Sequence, residues 1–261
     1  MTAPSTVVVH RDAGGLAATV AARLVTHLVD AQSARGVAHV VLTGGTIGGA
    51  ALRSLAASRA KDAVDWTAVH VWWGDERFLP SGHADRNETQ AREALLDHVR
   101  VDPDRVHAMP ASDGPDGDDV EAAAYRYAQE LQAACEPTER FGVPGFDVLL
   151  LGVGPDGHVA SLFPEHPGVY ESERTVIGVH GSPKPPPTRI SLTFPAIRQA
   201  AQVWLVVSGG DKASAVQMAL AGAGPVQIPA AGVSGRRATL WLLDSAAAAH
   251  LPAGLPRRMS P

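Results

Sequence analysis

Cysteine is almost absent from this chain of 261 residues, which contains only Cys135. One cysteine cannot form a disulfide within the chain, and thiolate sites for zinc or iron–sulfur clusters need several cysteines. The composition therefore excludes a disulfide-stabilised scaffold and a cysteine-ligated metal centre. We expect a protein of a reducing compartment, the cytoplasm.

The sequence also lacks long apolar segments and blocks of basic residues. No run approaches the ~18 apolar residues of a membrane span, and the first residues lack the basic and then apolar regions of a signal peptide. Lysine and arginine total 22 against 27 aspartate and glutamate residues, a net charge of −5. Without a basic footprint for a polyanion, we expect neither a membrane nor a nucleic acid as partner.

What the chain does contain is a regular alternation of short apolar runs and helix-forming segments. The pattern predicts strands at 6–9, 38–42, 66–73, 106–109, 148–151, 175–179, 189–192, 203–207 and 240–243, and helices at 16–34, 50–57, 85–99, 120–135 and 213–220. Such alternation, without repeats or a central linker, is typical of a doubly wound α/β fold with a mainly parallel sheet. We predict a single domain over residues 1–261, with the strand at 240–243 closing the sheet and a frayed tail at 251–261.

The most informative stretch is residues 146–164, FDVLLLGVGPDGHVASLFP. Its four apolar residues at 148–151 predict a buried strand, and the glycines and proline that follow force a tight loop. The carboxyl ends of strands are where open α/β sheets bind ligands. This loop presents Asp156 and His158, a carboxylate and an imidazole whose pairing is typical of an oriented general base. The sequence therefore predicts the catalytic group at His158.

A second glycine-rich segment follows the strand predicted at 38–42 and contains Thr43, Gly44, Gly45 and Thr46. Unpaired backbone N–H groups at the start of a helix attract phosphate. A tight turn that needs glycine for its backbone would show the same residues. Anion binding and a purely structural turn remain equal alternatives for this segment.

Charged side chains also leave the strand predicted at 66–73, in a loop beginning Gly-Asp-Glu-Arg. Asp75 supplies a carboxylate on the same edge of the sheet as His158, and Arg77 offers a planar donor fork that suits phosphate. The alternative is a surface ion pair or a helix cap. Further along, Lys184 lies in the proline-rich residues 180–187, which predict a stiff, extended lid or flap, or else an ordinary linker.

Taken together, five ordered segments resemble the 6-phosphogluconolactonases, part of a larger superfamily of sugar-phosphate isomerases and deaminases. They span nearly the whole chain and read VLTGGT, VWWGDERFLPSGHADRNETQAREALLDHV, FDVLLLGVGPDGHVASLFP, SPKPPPTRISLTFPAI and VVSGGDKASAV. The resemblance implies a Rossmann-like fold and a small-molecule substrate. The implied reaction is hydrolysis of 6-phosphogluconolactone to 6-phosphogluconate in the pentose phosphate pathway, without a cofactor.

The resemblance also implies roles for residues at matching positions. His158 looks like the general base, with Asp156 and Asp75 in the site around it. The first segment departs from the superfamily pattern Ser-Gly-Gly-Ser-Thr-Pro, because Ile47 replaces one hydroxyl. Phosphate binding there must therefore rest on backbone N–H groups and the remaining hydroxyls. The implied phosphate and sugar contacts are Thr43, Gly44, Gly45, Thr46, Arg77, Lys184 and Arg189.

Three other functions are less well supported by the sequence. Amino-sugar-phosphate deaminases and isomerases usually read Ala-Phe-Asn-Glu-Pro after the histidine, whereas Phe163 here occupies the glutamate position and cannot ionise. A sensor that only binds a sugar phosphate needs the anion loop and not the base. A metallohydrolase built on His158 and His166 lacks helical ligand spacing and an evident third ligand, so we expect no metal. The oligomeric state stays open.

Overall fold

The computed structural model of the chain describes residues 5–136, 139, 141–251 and 254–260. Its strands are β1 Ser5–His10, β2 Ala38–Leu42, β3 Val69–Trp73, β4 Asp75–Arg77, β5 Val148–Leu151, β6 Val176–Val179, β7 Arg189–Leu192, β8 Gln202–Val207, β9 Ala238–Asp244 and β10 Arg257–Met259. Its α-helices are α1 Ala13–Arg35, α2 Gly45–Ala57, α3 Asn87–Ala94, α4 Val120–Ala133, α5 Phe194–Ile197 and α6 Ala213–Leu220. The 3-10 helices are Arg59–Ala63, Trp66–Ala68, Leu96–His98, Pro103–Arg105, Pro167–Tyr170, Gly210–Lys212 and Pro229–Gly232.

The main sheet has seven strands in the order β10-β1-β9-β8-β5-β2-β3. Each described neighbouring pair runs parallel. All four residues of β5 are buried, as the apolar run at 148–151 predicted. Parallel sheets are covered on both faces, so their central strands need apolar side chains in both directions. The predicted doubly wound α/β fold with a mainly parallel sheet is confirmed.

Helix α1 shows why the predicted helices form. The Asp12 carboxylate accepts a hydrogen bond of 2.8 Å from the Gly15 N–H and so caps the first turn. Gly36 ends the helix at φ +80, in the left-handed region that glycine adopts without strain. Neither α1 nor any other helix in the described ranges is long and apolar enough to cross a membrane. The face that α1 buries consists of Leu16, Ala17, Val20, Ala21, Leu24, Val25, Leu28 and Ala31.

The sheet changes direction between β2 and β5. From β2 the chain moves outward to the edge strand β3, whereas β5, β8 and β9 lie in succession on the other side. Divergence of this kind opens a crevice above the carboxyl ends of the two strands, where α/β proteins bind ligands. A hydrogen bond of 3.2 Å from the Gly152 N–H to the Thr43 hydroxyl oxygen spans the crevice. The fold therefore brings the two glycine-rich segments side by side.

A second, antiparallel sheet of three strands, β4-β7-β6, stands beside this crevice. It contains the predicted lid: residues 180–187 connect β6 to β7, and the Ser182 N–H donates to the Pro187 carbonyl at 2.9 Å. The expectation of a charged loop at residues 75–77 is wrong. Those residues form β4, in register with Ser191 and Arg189 of β7, because the open edge of β7 offers them a hydrogen-bonding partner.

Three other elements begin or end away from their predicted limits. Residues 66–68 are a 3-10 turn rather than strand, because Asp65 accepts a 3.0 Å hydrogen bond from the Thr67 N–H. The helix predicted at 85–99 stops at Ala94, since Leu95 leaves the helical region at φ −147. Helix α2 begins at Gly45 rather than at residue 50, so most of the predicted glycine loop is helical.

The strand predicted at 106–109 is wrong. Val106 makes one isolated parallel bridge to Val71 and no ladder follows. The carbonyl of Met109 accepts a hydrogen bond of 2.7 Å from Arg86, whose side chain is 1% exposed. The Arg86 side chain thus satisfies the Met109 carbonyl, which would otherwise need a hydrogen bond from a neighbouring strand.

The position of the last strands also differs from the prediction. Strand β9 does not close the sheet but lies between β1 and β8. Residues 257–259 of the predicted frayed tail form β10, which pairs with β1 in parallel register. The backbone of β1 presents unpaired groups on that side, and β10 satisfies them. Residues 252, 253 and 261 of the tail lie outside the described residues.

A row of stacked rings lies at the amino ends of β2 and β3. The rings of His39 and His70 stack at 4.4 Å, and His107 stacks on Trp72 at 3.7 Å. His70 Nδ1 and His107 Nε2 are 2.9 Å apart. Burial, reinforced by the neighbouring histidines, lowers the pKa of His39 to about 3 and that of His70 to about 4. Both imidazoles are therefore neutral in the folded protein at pH 7.

This stack predicts a loss of stability in mild acid. Below pH 6.5 the unfolded chain protonates these histidines while the folded chain does not, so the free energy of unfolding falls until pH reaches the folded-state pKa values near 3 to 4. The slope is at most about 1.4 kcal/mol per pH unit for each histidine. His39→Asn should flatten the decline in chemical unfolding curves between pH 6.5 and 4. His250→Asn, at an exposed position, is the control, and equal slopes in all three proteins would contradict the prediction.

Candidate active site

The crevice at the carboxyl ends of β2 and β5 is a cleft of about 440 Å³. Most of the candidate residues line it, and they come from the junction of β2 with α2, from β4 and β7, and from the loop after β5. Asp156 and Lys184 lie instead against the side of His158. The structure thus brings all the candidates together in one place. Those lining the cleft are Thr43, Gly44, Gly45, Thr46, Asp75, Arg77, His158 and Arg189.

The loop after β5 orients His158 by local contacts. Gly157 turns the chain at φ +83, and the Gly154 N–H donates to the His158 carbonyl at 3.0 Å. The turn directs the imidazole back over Gly154, where an added Cβ would lie only 2.0 Å from His158 Nδ1. Asp156 Oδ1 is 2.5 Å from the same nitrogen. Glycine at 154 therefore leaves the space in which the Asp156 and His158 side chains meet.

The contact with Asp156 determines which ring nitrogen of His158 carries the hydrogen. An ionised carboxylate only accepts hydrogen bonds, so Nδ1 donates and Nε2 keeps its lone pair. Among the described residues no hydrogen bond engages Nε2. Because His158 lines the cleft, Nε2 can accept a proton from a molecule that binds there.

Lys184 adds a positive charge to this pair. Its ammonium is 3.6 Å from Asp156 Oδ1 and 3.3 Å from His158 Nδ1. Because Nδ1 already donates its hydrogen to the carboxylate, it cannot also accept one from the ammonium. The 3.3 Å contact with His158 is therefore only a close approach, whereas the 3.6 Å contact with Asp156 is an ion pair. Burial favours the neutral form of Asp156, but the hydrogen bond from His158 and the charges of His158 and Lys184 outweigh it and hold the pKa of the carboxyl well below its usual range. Asp156 is therefore ionised at neutral pH.

Asp75 is almost fully buried at the floor of the cleft. Its Oδ2 accepts a hydrogen bond of 2.7 Å from the Ser161 hydroxyl and lies 3.9 Å from Arg189 Nη1. Arg189 directs Nε and Nη2 to the carbonyls of residues 184–186, at 3.1 to 3.2 Å. Burial lowers the pKa of Arg189, against the opposing charge of Asp75. Arg189 therefore anchors the lid and leaves Nη1 towards the cleft.

The other end of the cleft is suited to an anion. Helix α2 begins there with Gly44 as its N-cap residue, and no side chain caps its first N–H groups. Arg77 stands opposite, where Nη1 donates to the Asp85 carbonyl at 2.7 Å, and Nε has no partner among the described residues. Lys212 reaches the same cleft from the turn after β8. A helix N-terminus with two cations is a favourable site for phosphate.

Phe163 forms an apolar wall behind the imidazole. It is 1% exposed, and its ring centroid lies 4.7 Å from that of His158 and 5.7 Å from the Arg189 guanidinium carbon. The ring of His166 contacts the edge of Phe163, and its Nε2 lies 2.8 Å from the His180 carbonyl. The two histidines considered for a metal site are thus separated by Phe163. Within the described ranges no cluster of three or more His, Cys, Asp or Glu residues has the geometry to hold a metal ion.

Sequence reasoning missed several residues of this site. Lys212 follows a Ser-Gly-Gly turn after an apolar strand, the same signal that identified the segment at 43–46, and could have been found in that way. Ser161 and Asn87 carry no such signal. They matter because each donates a hydrogen bond to Asp75, 86 and 12 residues away in the chain.

Fold and site together define a class of protein: a parallel α/β protein whose switch-point crevice joins the uncapped start of a helix to an aspartate–histidine pair. Comparison with known families identifies the particular one. The profile described as glucosamine-6-phosphate isomerases/6-phosphogluconolactonase matches residues 11–241. The chain belongs to this family.

Within this family, several individual relatives of the chain are named 6-phosphogluconolactonase. The chain is 67% identical over 248 residues to the 6-phosphogluconolactonase of Streptomyces coelicolor, covering 95% of each, and 51% identical over 248 residues to that of Mycobacterium tuberculosis, covering 95% of this chain and 99% of the relative. The solved structure of the 6-phosphogluconolactonase of Trypanosoma brucei superposes with a TM-score of 0.82 at 28% identity, over 96% of this chain and 100% of that one. The resemblance drawn from the five sequence segments is confirmed, and the chain is an enzyme of this family.

The packing around Gly154 gives a direct test of the His158 geometry. Gly154→Ala places a methyl group 2.0 Å from Nδ1 and 2.5 Å from Asp156 Oδ1, so the imidazole must leave the carboxylate. We expect the Nδ1–H proton of His158 to be visible in NMR spectra of histidine-labelled protein and to be lost in this variant. Gly210→Ala, where an added Cβ meets nothing within 4 Å, is the control. A signal unchanged in Gly154→Ala would contradict the assigned geometry.

Proposed function

We propose that the protein hydrolyses 6-phospho-D-glucono-1,5-lactone to 6-phospho-D-gluconate, as the names of its relatives suggest, and that residues 1–261 act as one lactonase domain. The observation that carries the proposal is His158 at the cleft, with Nδ1 engaged by Asp156 at 2.5 Å and Nε2 left as a proton acceptor. Lactone hydrolysis needs such a group twice, first as a base and then as an acid.

The reaction follows from that geometry. Nε2 of His158 takes a proton from a water molecule as its oxygen bonds to the lactone carbonyl carbon, and the carbonyl oxygen becomes an oxyanion. The oxyanion then re-forms the carbonyl, the bond to the ring oxygen breaks, and the imidazolium returns its proton to the departing ring oxygen. Asp156 stabilises the imidazolium between the two steps through Nδ1. Lys184 balances the Asp156 charge, so the pair is not left as an uncompensated anion in a half-buried site.

The same cleft offers a place for the 6-phosphate. The first turn of α2, with Thr43, Gly44, Gly45 and Thr46, supplies backbone N–H groups and two hydroxyls. Arg77 lines the same cleft, its Nη2 makes no hydrogen bond among the described residues, and Lys212 adds a second cation. Lys184 and Arg189 stand nearer to the base, and we propose that they bind the sugar side of the substrate and hold the lid.

Phe163 supports hydrolysis over the deaminase or isomerase alternative. That chemistry moves a proton between sugar carbons and needs a second ionisable group, whereas the buried ring of Phe163 fills the space beside His158. A sensor without turnover is also less well supported. Binding alone gives no reason for an imidazole held by an ionised carboxylate and a balancing lysine.

The first functional prediction concerns the base. With fresh 6-phosphogluconolactone in a pH-stat, the wild-type protein should exceed spontaneous hydrolysis without an added cofactor. His158→Ala should lower kcat by roughly 100- to 10,000-fold, since a general base acts in the transition state. Affinity for 6-phosphogluconate should change little. The exposed His250→Ala is the matched control.

Two results would count against this assignment. A wild-type rate equal to the spontaneous one would remove the lactonase function altogether. A His158→Ala variant that keeps more than about a tenth of wild-type kcat, well short of the expected range, would make His158 a structural residue.

The second functional prediction separates phosphate binding from lid anchoring. A hydrogen bond to a charged group is worth ~1.5 to 3 kcal/mol, or roughly ten- to hundredfold in kcat/KM. Arg77→Gln should therefore lose about that factor on the phosphorylated lactone and little on unphosphorylated gluconolactone. Arg189→Gln removes the guanidinium that donates to the lid carbonyls, so it should slow the hydrolysis of both substrates.

The exposed Arg59→Gln controls for loss of one positive charge, and melting curves confirm folding of each variant. Equal losses of Arg77→Gln on the two substrates would remove Arg77 from the phosphate site. A phosphate-selective loss in Arg189→Gln would move that role to Arg189.

A further inference from the structure

Asn87 is the first residue of α3 and is 3% exposed, at the point where the catalytic and phosphate parts of the cleft meet. We propose that Asn87 is a positioning residue that holds Asp75, Arg77 and the start of α2 in one fixed arrangement. The inference rests on the proposed function, since it concerns how that site is organised, and it adds a residue that the sequence reasoning passed over.

The amide of Asn87 bridges two charged residues of β4. Its Nδ2 donates to the Asp75 carbonyl at 2.8 Å and approaches Asp75 Oδ1 at 3.4 Å. Its Oδ1 accepts from Arg77 Nη1 at 2.8 Å. A flipped amide would set like groups against each other on both sides, so only one orientation satisfies these partners.

This bridge keeps Asp75 and Arg77 from neutralising each other. The two residues are two apart on one strand, so their side chains leave the same face of β4. Asn87 lies between them and satisfies one donor of Arg77, whose Nη2 makes no hydrogen bond in the described part of the chain. Asp75 pairs with Arg189 instead, at 3.9 Å. Arg77 thus keeps donors for substrate.

The backbone of Asn87 is held by a buried carboxylate. Glu76 is fully buried, and its Oε1 accepts from the N–H groups of Asn87 at 2.6 Å and Arg77 at 2.8 Å. Its Oε2 accepts from the Glu88 N–H at 2.9 Å. Arg86, the N-cap residue of α3, makes no capping hydrogen bond, so Glu76 caps the helix from the neighbouring strand. The position of Asn87 relative to β4 is therefore set by two kinds of contact: the Glu76 carboxylate accepts from the Asn87 main chain, and the Asn87 amide donates to the Asp75 main chain.

Asn87 also explains why residue 44 is glycine. Gly44 has φ −79 and ψ −162, a backbone that any residue can adopt. A Cβ on Gly44 would lie 1.9 Å from Asn87 Oδ1 and 2.5 Å from its Cγ, and the nearest atoms are all from the Asn87 side chain. The requirement for glycine thus comes from the close approach of Asn87 and not from the turn. Through this contact the start of α2 is held against β4.

The test is a double-mutant cycle between Gly44→Ala and Asn87→Ala, with Gln90→Ala on the same helix as the control amide. Gly44→Ala alone should lower the melting temperature and kcat/KM. In the Asn87→Ala background the same change should cost little, because the clash has been removed. Effects that simply multiply in kcat/KM and add in melting temperature would overturn the proposed contact.

A second measurement separates positioning from a merely structural role. Asn87→Ala should lower kcat/KM for the phosphorylated lactone by about tenfold or more and weaken binding of 6-phosphogluconate in calorimetry, with a smaller loss on unphosphorylated gluconolactone. Asn87→Asp, which keeps the acceptor for Arg77, should recover product binding and not kcat. Asn87→Ala kinetics and product affinity equal to those of wild type, or equal losses on both substrates, would overturn the proposal.

The outcomes also distinguish this inference from the proposed function. A wild-type protein that binds 6-phosphogluconate but does not hydrolyse the lactone would end the lactonase proposal, while the melting temperatures of the double-mutant cycle and the calorimetry of Asn87→Ala would still decide on Asn87. An active wild-type protein with an unaffected Asn87→Ala variant would leave the function standing and end the positioning role.

Discussion

The site depends on the parallel pairing of β2 with β5. Because these strands are neighbours and point the same way, the chain leaves both at one edge of the sheet. One exit begins α2 and presents uncapped N–H groups, and the other turns through glycine and presents His158. The hydrogen bond from Gly152 to Thr43 ties the two exits together. The start of α2 and His158 thus line the same cleft.

Charge is the second constraint on this edge of the sheet. Asp75, Glu76, Arg86 and Arg189 are all less than a tenth exposed and lie on or against β4 and β7. A buried charge is costly unless it is paired and hydrogen-bonded. Burial raises the pKa of Glu76 to about 7, even against Arg86 and three backbone N–H donors. The small antiparallel sheet is therefore both a lid support and a scaffold that keeps these charges paired around the cleft.

The predictions from sequence were most accurate where the local sequence pattern and the tertiary environment favour the same secondary structure. The strand at 148–151 and the helix at 213–220 have the predicted limits, because a buried run or an apolar helical face specifies its own structure. They were wrong at 106–109, where Arg86 takes the backbone carbonyl, and at 75–77, where a strand forms only because β7 lies alongside. Three residues of such a strand carry no periodicity of their own.

The sequence by itself determined the pairing of Asp156 with His158, because the two residues are two apart and a glycine turn after a buried strand brings them together. It also identified the glycine-rich segment after β2, although not that α2 already begins at Gly45. Only the tertiary structure decided that Lys184, 28 residues away, balances Asp156, and that Ser161 and Asn87 both donate hydrogen bonds to Asp75. These contacts join side chains from separate elements, and their geometry depends on how the two sheets pack. Periodicity and turn chemistry describe the backbone of each segment and carry no information about which distant side chain completes a hydrogen bond.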